Sequence, residues 1–214
     1  MPDAPKTVLI ADDHAVVREG LKRIVAENAD MEVAGEAGNG HEVLDFARRH
    51  ECDLVLLDLA MPGKDGLDTL KELKLVRPHL PVLVLSVYPE EQYAVRLLRA
   101  GAAGYLTKES APEELVAAIR KVSRGGRYVS EALAEQLAVL LGSGTDRPPH
   151  ETLSDREFRV MVMLASGKTA SEVAEALCLS VKTISTYRSR ALRKMNMRNN
   201  AELSFYAVKH GLLG

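Results

Sequence analysis

In Leu54-Val55-Leu56-Leu57-Asp58-Leu59-Ala60-Met61-Pro62-Gly63, four aliphatic residues lead to one carboxylate and then to a Pro/Gly turn. A second apolar strand, Val8-Leu9-Ile10-Ala11, runs into two more carboxylates, Asp12 and Asp13. Because the carboxyl ends of parallel strands open onto one crevice, we expect these three acids to meet there. Clustered carboxylates repel one another unless a cation lies among them. Oxygen ligands with room for water favour Mg²⁺ over a transition metal.

Short apolar runs alternate with helical patterns five times in the first half of the chain. The strands are predicted at roughly residues 6–11, 31–36, 53–57, 81–86 and 102–106. The run Val82-Leu83-Val84-Leu85 is apolar on both faces, which is typical of a central parallel strand. Five βα units of this kind predict an α/β fold with a doubly wound five-stranded parallel sheet of the flavodoxin type.

After residue 150 the patterns are all helical. Ser154 with Glu157, and Thr169 with Glu172, fit the capping box that starts a helix. A helix from Thr169, a tight turn at residues 178–180 and a basic helix behind it predict a helix-turn-helix. We therefore predict a first domain over residues 1–123, a linker with a short helix over 124–150, and an all-α domain of four helices over 151–214.

Composition and charge are those of an ordinary two-domain protein of 214 residues, with 46% apolar and 27% charged residues. The two cysteines, Cys52 and Cys178, lie far apart and predict no disulfide framework. The first residues show no basic segment followed by an apolar run, and we predict a cytoplasmic protein without membrane contact. Charge is uneven, because residues 1–150 hold 18 Lys/Arg against 24 Asp/Glu, whereas residues 151–214 hold 10 against 6.

The basic excess is concentrated in one predicted helix. Residues 180–198 contain six Lys/Arg and no acidic residue. Helices that are charged only for solubility usually interleave signs, so this pattern favours DNA binding. At 100° per residue, Val181, Ile184 and Leu192 fall on the packing side. The residues available to a major groove are Lys182, Ser185, Thr186, Ser189, Arg190, Arg193 and Lys194.

The whole chain resembles one family, the two-component response regulators, and in particular the NarL/FixJ group with a LuxR-type helix-turn-helix. In the first half the resemblance rests on Asp12-Asp13, Asp58 with Met61-Pro62 and Asp65-Gly66, Ser86, and Gly104-Tyr105-Leu106-Thr107-Lys108. In the second half it rests on Leu153-Ser154-Asp155-Arg156-Glu157, Gly167-Lys168-Thr169, Glu172-Val173-Ala174, Leu179-Ser180-Val181-Lys182-Thr183-Ile184 and Leu192-Arg193-Lys194-Met195. Each motif alone is weak, but their order and spacing together are specific.

The resemblance implies roles for the clustered residues of the first half. Asp58 would be the phosphoacceptor for a sensor histidine kinase, and Lys108 and Ser86 would bind the phosphoryl oxygens. Mg²⁺ would be held by Asp12, Asp13, Asp58 and the backbone carbonyl of Ala60. Ser86 and Tyr105 would form the switch. Such a protein is a phosphoacceptor with at most slow self-dephosphorylation, and it is not an enzyme.

The last predicted helix, from about residue 199 to 210, suggests an interface. With Ala201 as the reference, Phe205, Val208 and Leu212 share one side and are predicted to cover the core. Leu203, Tyr206 and Ala207 are then predicted to point outward and to pair two copies. LuxR-type relatives pair through this helix, and the resemblance implies a homodimer on DNA with paired half-sites.

Two other functions fit parts of the pattern. Phosphohydrolases of the haloacid dehalogenase type also use an Asp after an apolar strand with Mg²⁺, but they carry a second Asp two residues later, where this chain has Ala60. A nucleotide-binding module needs a glycine-rich phosphate loop after the first strand. Asp12-Asp13-His14 stands in that place and would repel phosphate.

Overall fold

The computed structural model describes residues 4–61, 64, 66–88, 90–142 and 148–213. The chain divides into two compact units, residues up to Glu135 and residues from Gln136. Pro62, Gly63 and Asp65 of the predicted turn, and residues 143–147 of the predicted linker, lie outside the described residues. No helix within the described ranges has both the length and the apolar character needed to cross a membrane.

Within its described residues, the first unit contains a five-stranded sheet. Its strands are β1 (Lys6–Ala11), β2 (Met31–Ala37), β3 (Leu54–Asp58), β4 (Val82–Ser86) and β5 (Gly104–Thr107). All neighbouring strands pair in parallel, in the order β2-β1-β3-β4-β5. The order reverses after β1, because β2 lies on one side of it and β3 on the other, and this confirms the predicted doubly wound sheet.

Helices cover both faces of this sheet. They are α1 (Ala15–Ala26), α2 (Gly40–Arg49), α3 (Gly66–Val76), α4 (Glu90–Arg99) and α5 (Pro112–Ser123). Helices α1 and α5 contact each other, as do α2 and α3. Alternate strand residues such as Val8 and Ile10 pack with residues of α1 and α5 in one hydrophobic core. Because side chains alternate along a strand, Leu9 and Leu57 point to the other face of the sheet, where both are fully buried. Burial on both faces explains why β3 and β4 are uninterrupted aliphatic runs.

The segment after α5 differs from the predicted linker. The sequence predicts that the linker begins at residue 124, but the backbone at Tyr128 forms a parallel bridge with Gly104 of β5. The Tyr128 amide donates to Ala103 O at 2.9 Å, and Tyr128 O accepts from Tyr105 N at 3.2 Å. Glycine is required at 104, since a Cβ there would lie 2.7 Å from Tyr128 O. Helix α6 (Glu131–Gly142) follows.

Between residues 151 and 213, the second unit contains four α-helices, as predicted. They are α7 (Asp155–Ala165), α8 (Ala170–Ala176), α9 (Val181–Lys194) and α10 (Asn200–Lys209), preceded by a 3₁₀ turn at Pro149–Thr152. Both predicted capping boxes form, at Ser154 and Thr169, and Ser180 caps α9. Cys178, with φ of 52°, makes the tight turn between α8 and α9. The two helices form the predicted helix-turn-helix, packed on α7.

Candidate functional site

The register of the sheet brings two of the predicted acids side by side. Ala11 of β1 lies opposite Leu57 of β3, so the next residues along each strand, Asp12 and Asp58, reach the same edge together. Each is only 1% exposed. Asp13 is partly exposed beside them, and the three carboxylates offer ligand atoms that all lie within 4.8 Å of one another. The structure therefore forms the acidic cluster that the strand ends predict.

Lys108, the residue after β5, also reaches this cluster at the carboxyl edge of the sheet. Its backbone amide donates to Ser86 O at 2.8 Å, which continues the pairing of β4 with β5. Its Nζ lies 2.5 Å from Asp12 Oδ2 and 2.8 Å from Asp58 Oδ2. Burial lowers the pKa of the Lys108 ammonium, but hydrogen bonds to Asp12 and Asp58 outweigh it and hold the pKa above its ordinary value. The ammonium is therefore a permanent positive charge at neutral pH.

The charges of the cluster leave a place for a cation. Three carboxylates face one ammonium, so the group carries excess negative charge in a largely buried setting. Ligands on opposite sides of a Mg²⁺ ion are about 4.2 Å apart, given bond lengths of about 2.1 Å. A separation of at most 4.8 Å needs only a small contraction to reach this value. The donor set consists of oxygen atoms, and it fits the predicted magnesium site.

The loop after Asp58 is shaped by the backbone. Ala60 N donates to Asp58 Oδ1 at 3.1 Å, so the two carboxylate oxygens of Asp58 have different partners, an amide and the Lys108 ammonium. Gly66 N donates to Leu59 O at 3.2 Å. A Cβ at Gly66 would lie 2.5 Å from Asp58 O and 2.6 Å from Leu59 Cα. Only glycine lets the start of α3 approach the backbone of Asp58 and Leu59 this closely.

The two predicted switch residues meet at the backbone of Tyr88. Ser86 Oγ accepts from Tyr88 N at 3.1 Å, and Tyr105 donates its hydroxyl to Tyr88 O at 2.7 Å. Both Ser86 and Tyr105 are buried. The segment between β4 and α4 is therefore tied to the site through Ser86 and to the interior of the sheet through Tyr105.

His14 is the residue of this site that the sequence did not predict. It lies just before α1, and its side chain is 64% exposed. Its ring nevertheless turns back to the acids, with Nδ1 2.8 Å from Asp13 Oδ1 and 3.3 Å from Asp12 Oδ1. The only available signal was its adjacency to Asp13.

In the second unit, the predicted DNA-facing residues share one surface of α9. All seven are exposed: Lys182, Ser185, Thr186, Ser189, Arg190, Arg193 and Lys194. The opposite side packs through Ile184, Ala191 and Leu192, which are buried. Val181, also predicted to pack, is 46% exposed because it is the first residue of the helix.

Two of the hydroxyls on this surface are already oriented. Thr186 Oγ1 donates to Lys182 O at 3.0 Å, and Ser189 Oγ donates to Ser185 O at 2.9 Å. With their protons directed to the helix backbone, these oxygens are left as acceptors for the amino groups of adenine or cytosine. Arg188 is not part of this surface, because its Nε donates to Asn200 Oδ1 at 2.6 Å and joins α9 to the start of α10.

Lys194 differs from the other basic residues of α9, since its charge has a partner inside the protein. Its Nζ lies 2.6 Å from Oε2 of Glu157, a buried carboxylate that also accepts from Ser154 N at 2.8 Å. Burial raises the pKa of Glu157, but the hydrogen bonds from Lys194 and Ser154 lower it by more than burial raises it. The net pKa therefore lies below its usual range. Lys194 therefore stabilises the capping box of α7 as well as adding to the basic surface.

The predicted orientation of α10 is wrong. Leu203 and Ala207, predicted to point outward, are 0% exposed, whereas Phe205 and Val208, predicted to pack, are 74% and 67% exposed. The helix has apolar residues on both sides, so periodicity alone did not distinguish them. Helix α10 packs against α7, and Ser204 donates to Ala165 O at 2.9 Å, which satisfies a carbonyl at the end of α7.

Tyr206 is likewise engaged within the unit. Its hydroxyl is 2.8 Å from His150 Nδ1, and its ring stacks on His210 with centroids 4.1 Å apart. Leu203, Tyr206 and Ala207 therefore do not form an outward face. The apolar residues of α10 that remain outward are Ala201, Phe205 and Val208, at positions i, i+4 and i+7.

Comparison with known proteins identifies two matching domain families and relatives that are similar along nearly the whole chain. The model of the response regulator receiver domain matches residues 8–120, and that of bacterial regulatory proteins of the luxR family matches residues 151–207. The chain is 39% identical over 207 residues to the response regulator GacA of Pseudomonas aeruginosa, covering 96% of this chain and 97% of that protein.

Two solved structures of RcsB are similar along nearly the whole chain. One contains two RcsB dimers bound to two parallel DNAs; it is 26% identical, has a TM-score of 0.59 and covers 95% of this chain and 98% of that one. The other is RcsB from Salmonella enterica serovar Typhimurium bound to a promoter in the presence of the phosphomimetic BeF₃⁻. It is 26% identical, has a TM-score of 0.65 and covers 94% of this chain and 98% of that one.

The Glu157–Lys194 pair generates a prediction about acid stability. A carboxylate whose folded pKa is depressed adds stability above its unfolded pKa of about 4.3, and this stability is lost as the pH falls through the folded value. Lys194→Ala should lower the free energy of unfolding of the second unit by about 1 kcal/mol at pH 7, and by less once Glu157 is protonated. The loss is measured by urea unfolding of the full chain, followed by NMR at the α7 amides, at pH 7 and at an acidic pH where Glu157 is protonated. Arg193→Ala, at the exposed neighbour, is the control; an equal loss in both variants would contradict the role of the pair.

Proposed function

Because the chain belongs to the response regulators that join a receiver domain to a LuxR-type DNA-binding domain, we propose that phosphorylation of Asp58 controls its regulation of transcription. The observation that carries the proposal is the pairing of the buried Asp58 carboxylate with the Lys108 ammonium beside Asp12. This site occurs in the same chain as an acid-free basic helix with an exposed polar surface. A sensor histidine kinase is the phosphodonor that the receiver family implies.

The chemistry is a transfer of one phosphoryl group to a carboxylate. An oxygen of Asp58 attacks phosphorus, the bond from phosphorus to the donor breaks, and an acyl phosphate forms on Asp58. Lys108, now paired with Asp58 Oδ2, would then pair with a phosphoryl oxygen. Ser86, whose Oγ accepts from Tyr88 N, would donate its own proton to another. Asp12, Asp13, Asp58 and the carbonyl of Ala60 would hold Mg²⁺, which neutralises the phosphoryl oxygens when bound.

A switch follows from the contacts at Tyr88. If the Ser86 hydroxyl turns to the phosphoryl group, the hydrogen bond that it accepts from Tyr88 N would be disturbed. Tyr88 is also bonded through its carbonyl to the Tyr105 hydroxyl, so a shift of Tyr88 would be felt at Tyr105. Phosphorylation would therefore move the segment between β4 and α4 and bias the position of Tyr105. A phosphohydrolase is a poorer fit, because Ala60 contributes only a backbone amide beside Asp58 and has no side-chain acid for turnover.

Phosphorylation should require Asp58 and a divalent cation. Full-length protein treated with acetyl phosphate and Mg²⁺ should gain the mass of one phosphoryl group per chain, whereas Asp58→Asn, or excess EDTA, should leave the mass unchanged. Asp45→Asn, in the exposed part of α2, is the matched control and should be labelled like the parent. Labelling of Asp58→Asn to the parental level would falsify the assignment, and continuous phosphate release would favour the phosphohydrolase.

The proposed DNA contact is the exposed surface of α9. Six basic residues between 180 and 198 without an acid imply contacts to phosphates and release of counterions. Of these, Lys194 is paired with Glu157, Arg188 is bonded to Asn200, and Arg198 lies beyond the end of α9. The basic residues best placed to bind DNA are therefore Lys182, Arg190 and Arg193. Ser185, Thr186 and Ser189 lie among them and would contact bases.

Arg193→Ala and Lys182→Ala should weaken DNA binding by about 1–3 kcal/mol each if the contact is to a base. If the contact is to a phosphate, the loss should be similar on all sequences, and the slope of log affinity against log salt should fall by about 1. Fluorescence anisotropy with a labelled duplex over a salt series distinguishes the two. Arg23→Ala, an exposed arginine of α1, removes the same charge from the first unit and should leave affinity unchanged. Loss of affinity in Arg23→Ala equal to that in Arg193→Ala would rule out a specific role for α9.

We assign the homodimer interface to the corrected outer face of α10. Ala201, Phe205 and Val208 form an exposed apolar stripe there, and a groove of about 520 Å³ beside it is lined by Met197, Phe205 and Lys209 among others. Exposing a phenylalanine and a valine on one short helix has no evident solubility benefit. A two-fold pair of this helix would set two α9 helices on neighbouring half-sites.

Phe205→Asp with Val208→Asp should abolish cooperative binding to a duplex with two half-sites, because charges at the centre of an apolar contact oppose pairing. Sedimentation on that duplex should show one chain bound instead of two, while the unfolding midpoint and labelling of Asp58 stay unchanged. Leu75→Asp, an exposed aliphatic residue of α3, is the control. Cooperativity equal to that of the parent would show that the interface lies elsewhere.

A further inference from the structure

His14 faces the acidic cluster from the start of α1, and its place is fixed by the backbone. The His14 amide donates to Asp12 Oδ1 at 2.8 Å. The same Asp12 oxygen lies 3.3 Å from His14 Nδ1, and that nitrogen lies 2.8 Å from Asp13 Oδ1. Lys108 contacts the other oxygen of Asp12, so the ammonium and the imidazole lie at different oxygens of the same buried carboxylate.

We propose that His14 supplies an imidazole nitrogen ligand to the divalent cation of this site and biases the site toward first-row transition ions. The inference rests on the proposed metal site and extends its ligand set. One ligand atom each from Asp12, Asp13, His14 and Asp58 lies within 4.8 Å of the others. The imidazole nitrogen satisfies the same 4.8 Å limit as the carboxylate oxygens, so all four groups could reach one cation with a small contraction.

The consequence is a change in metal preference. Carboxylate and carbonyl oxygens with water suit Mg²⁺, whereas imidazole nitrogen suits Fe, Co, Ni and Zn. A site of three carboxylates and one imidazole should therefore still bind Mg²⁺ but should bind Co²⁺ more tightly than an all-oxygen site does. His14 would set this preference without touching the phosphoryl group, since Asp58, Lys108 and Ser86 provide the groups that face it in the proposed transfer.

The ligand can be detected directly with Mn²⁺, which is paramagnetic and resembles Mg²⁺ in its ligands. Pulsed EPR of the full-length protein with Mn²⁺ alone should show modulation from a directly bound ¹⁴N. The pattern should change to that of ¹⁵N when the protein is labelled with ¹⁵N-histidine. His14→Ala should lose the modulation, and His41→Ala, at an exposed histidine of α2, should keep it. The isotope experiment uses the unaltered protein, so it stands even if His14→Ala folds poorly.

Metal preference provides the second measurement. In competition titrations, His14→Ala should lose about tenfold in affinity for Co²⁺, with little change for Mg²⁺. Mn²⁺ bound without nitrogen modulation, or equal losses of Co²⁺ and Mg²⁺ affinity, would overturn the role of His14 and leave the oxygen site intact. Failure of the parent to bind any of these ions, with Asp13→Asn indistinguishable from it, would overturn the proposed metal site itself.

Discussion

Two buried carboxylates, those of Asp12 and Asp58, share the ammonium group of Lys108 at the carboxyl edge of the sheet. Asp12 follows the buried apolar residues 8–11 of β1 and Asp58 ends the otherwise apolar β3, and the interior would not accept either charge alone. The pairing of Ala11 with Leu57 brings the acids together, and the bond from Lys108 N to Ser86 O places the lysine. The three strand ends are therefore held by hydrogen bonding of the backbone and by opposite charge at the same point.

This arrangement makes the site responsive. One ammonium balances only part of the charge of three acids, and the remaining negative charge favours a cation. The ammonium is also the group that a phosphoryl oxygen on Asp58 would draw away from the carboxylates. Ser86 and Tyr105 both contact the backbone of Tyr88, so in the proposed switch a change at the acids would reach Tyr88 through these two hydrogen bonds.

Most of this architecture could be predicted from the sequence, because it depends on strong local signals. The uninterrupted aliphatic runs of β3 and β4 predict buried parallel strands, and parallel strands place Asp12 and Asp58 at one edge regardless of their separation along the chain. Capping at Ser154, Thr169 and Ser180 marks the helix starts of the second unit. The exposed face of α9 follows from helical spacing, since one side is apolar and the other is not.

What sequence reasoning missed depends on contacts between elements. Helix α10 is apolar on two sides, and its packing against α7 is accompanied by burial of Leu203 and Ala207 rather than Phe205 and Val208. The partner of Lys194 is Glu157, 37 residues earlier, and no spacing rule links them. The ring of His14 lies beside the acids, and its amide donates to Asp12, a contact that no spacing rule predicts. Tyr128 lies in the predicted linker, but Gly104, the single glycine of β5, leaves room for its backbone to pair with the edge of the sheet.

The pairing of Ala11 with Leu57 also limits how the gene can vary in length. Side chains alternate faces along a strand, so one codon inserted in β1 or β3 would turn every following residue to the opposite face and carry its acid out of the crevice. Insertions in exposed loops leave this phase unchanged. Length differences among descendants of this gene should therefore collect outside the two short segments that precede Asp12 and Asp58, while substitutions within those segments remain free to exchange one aliphatic residue for another.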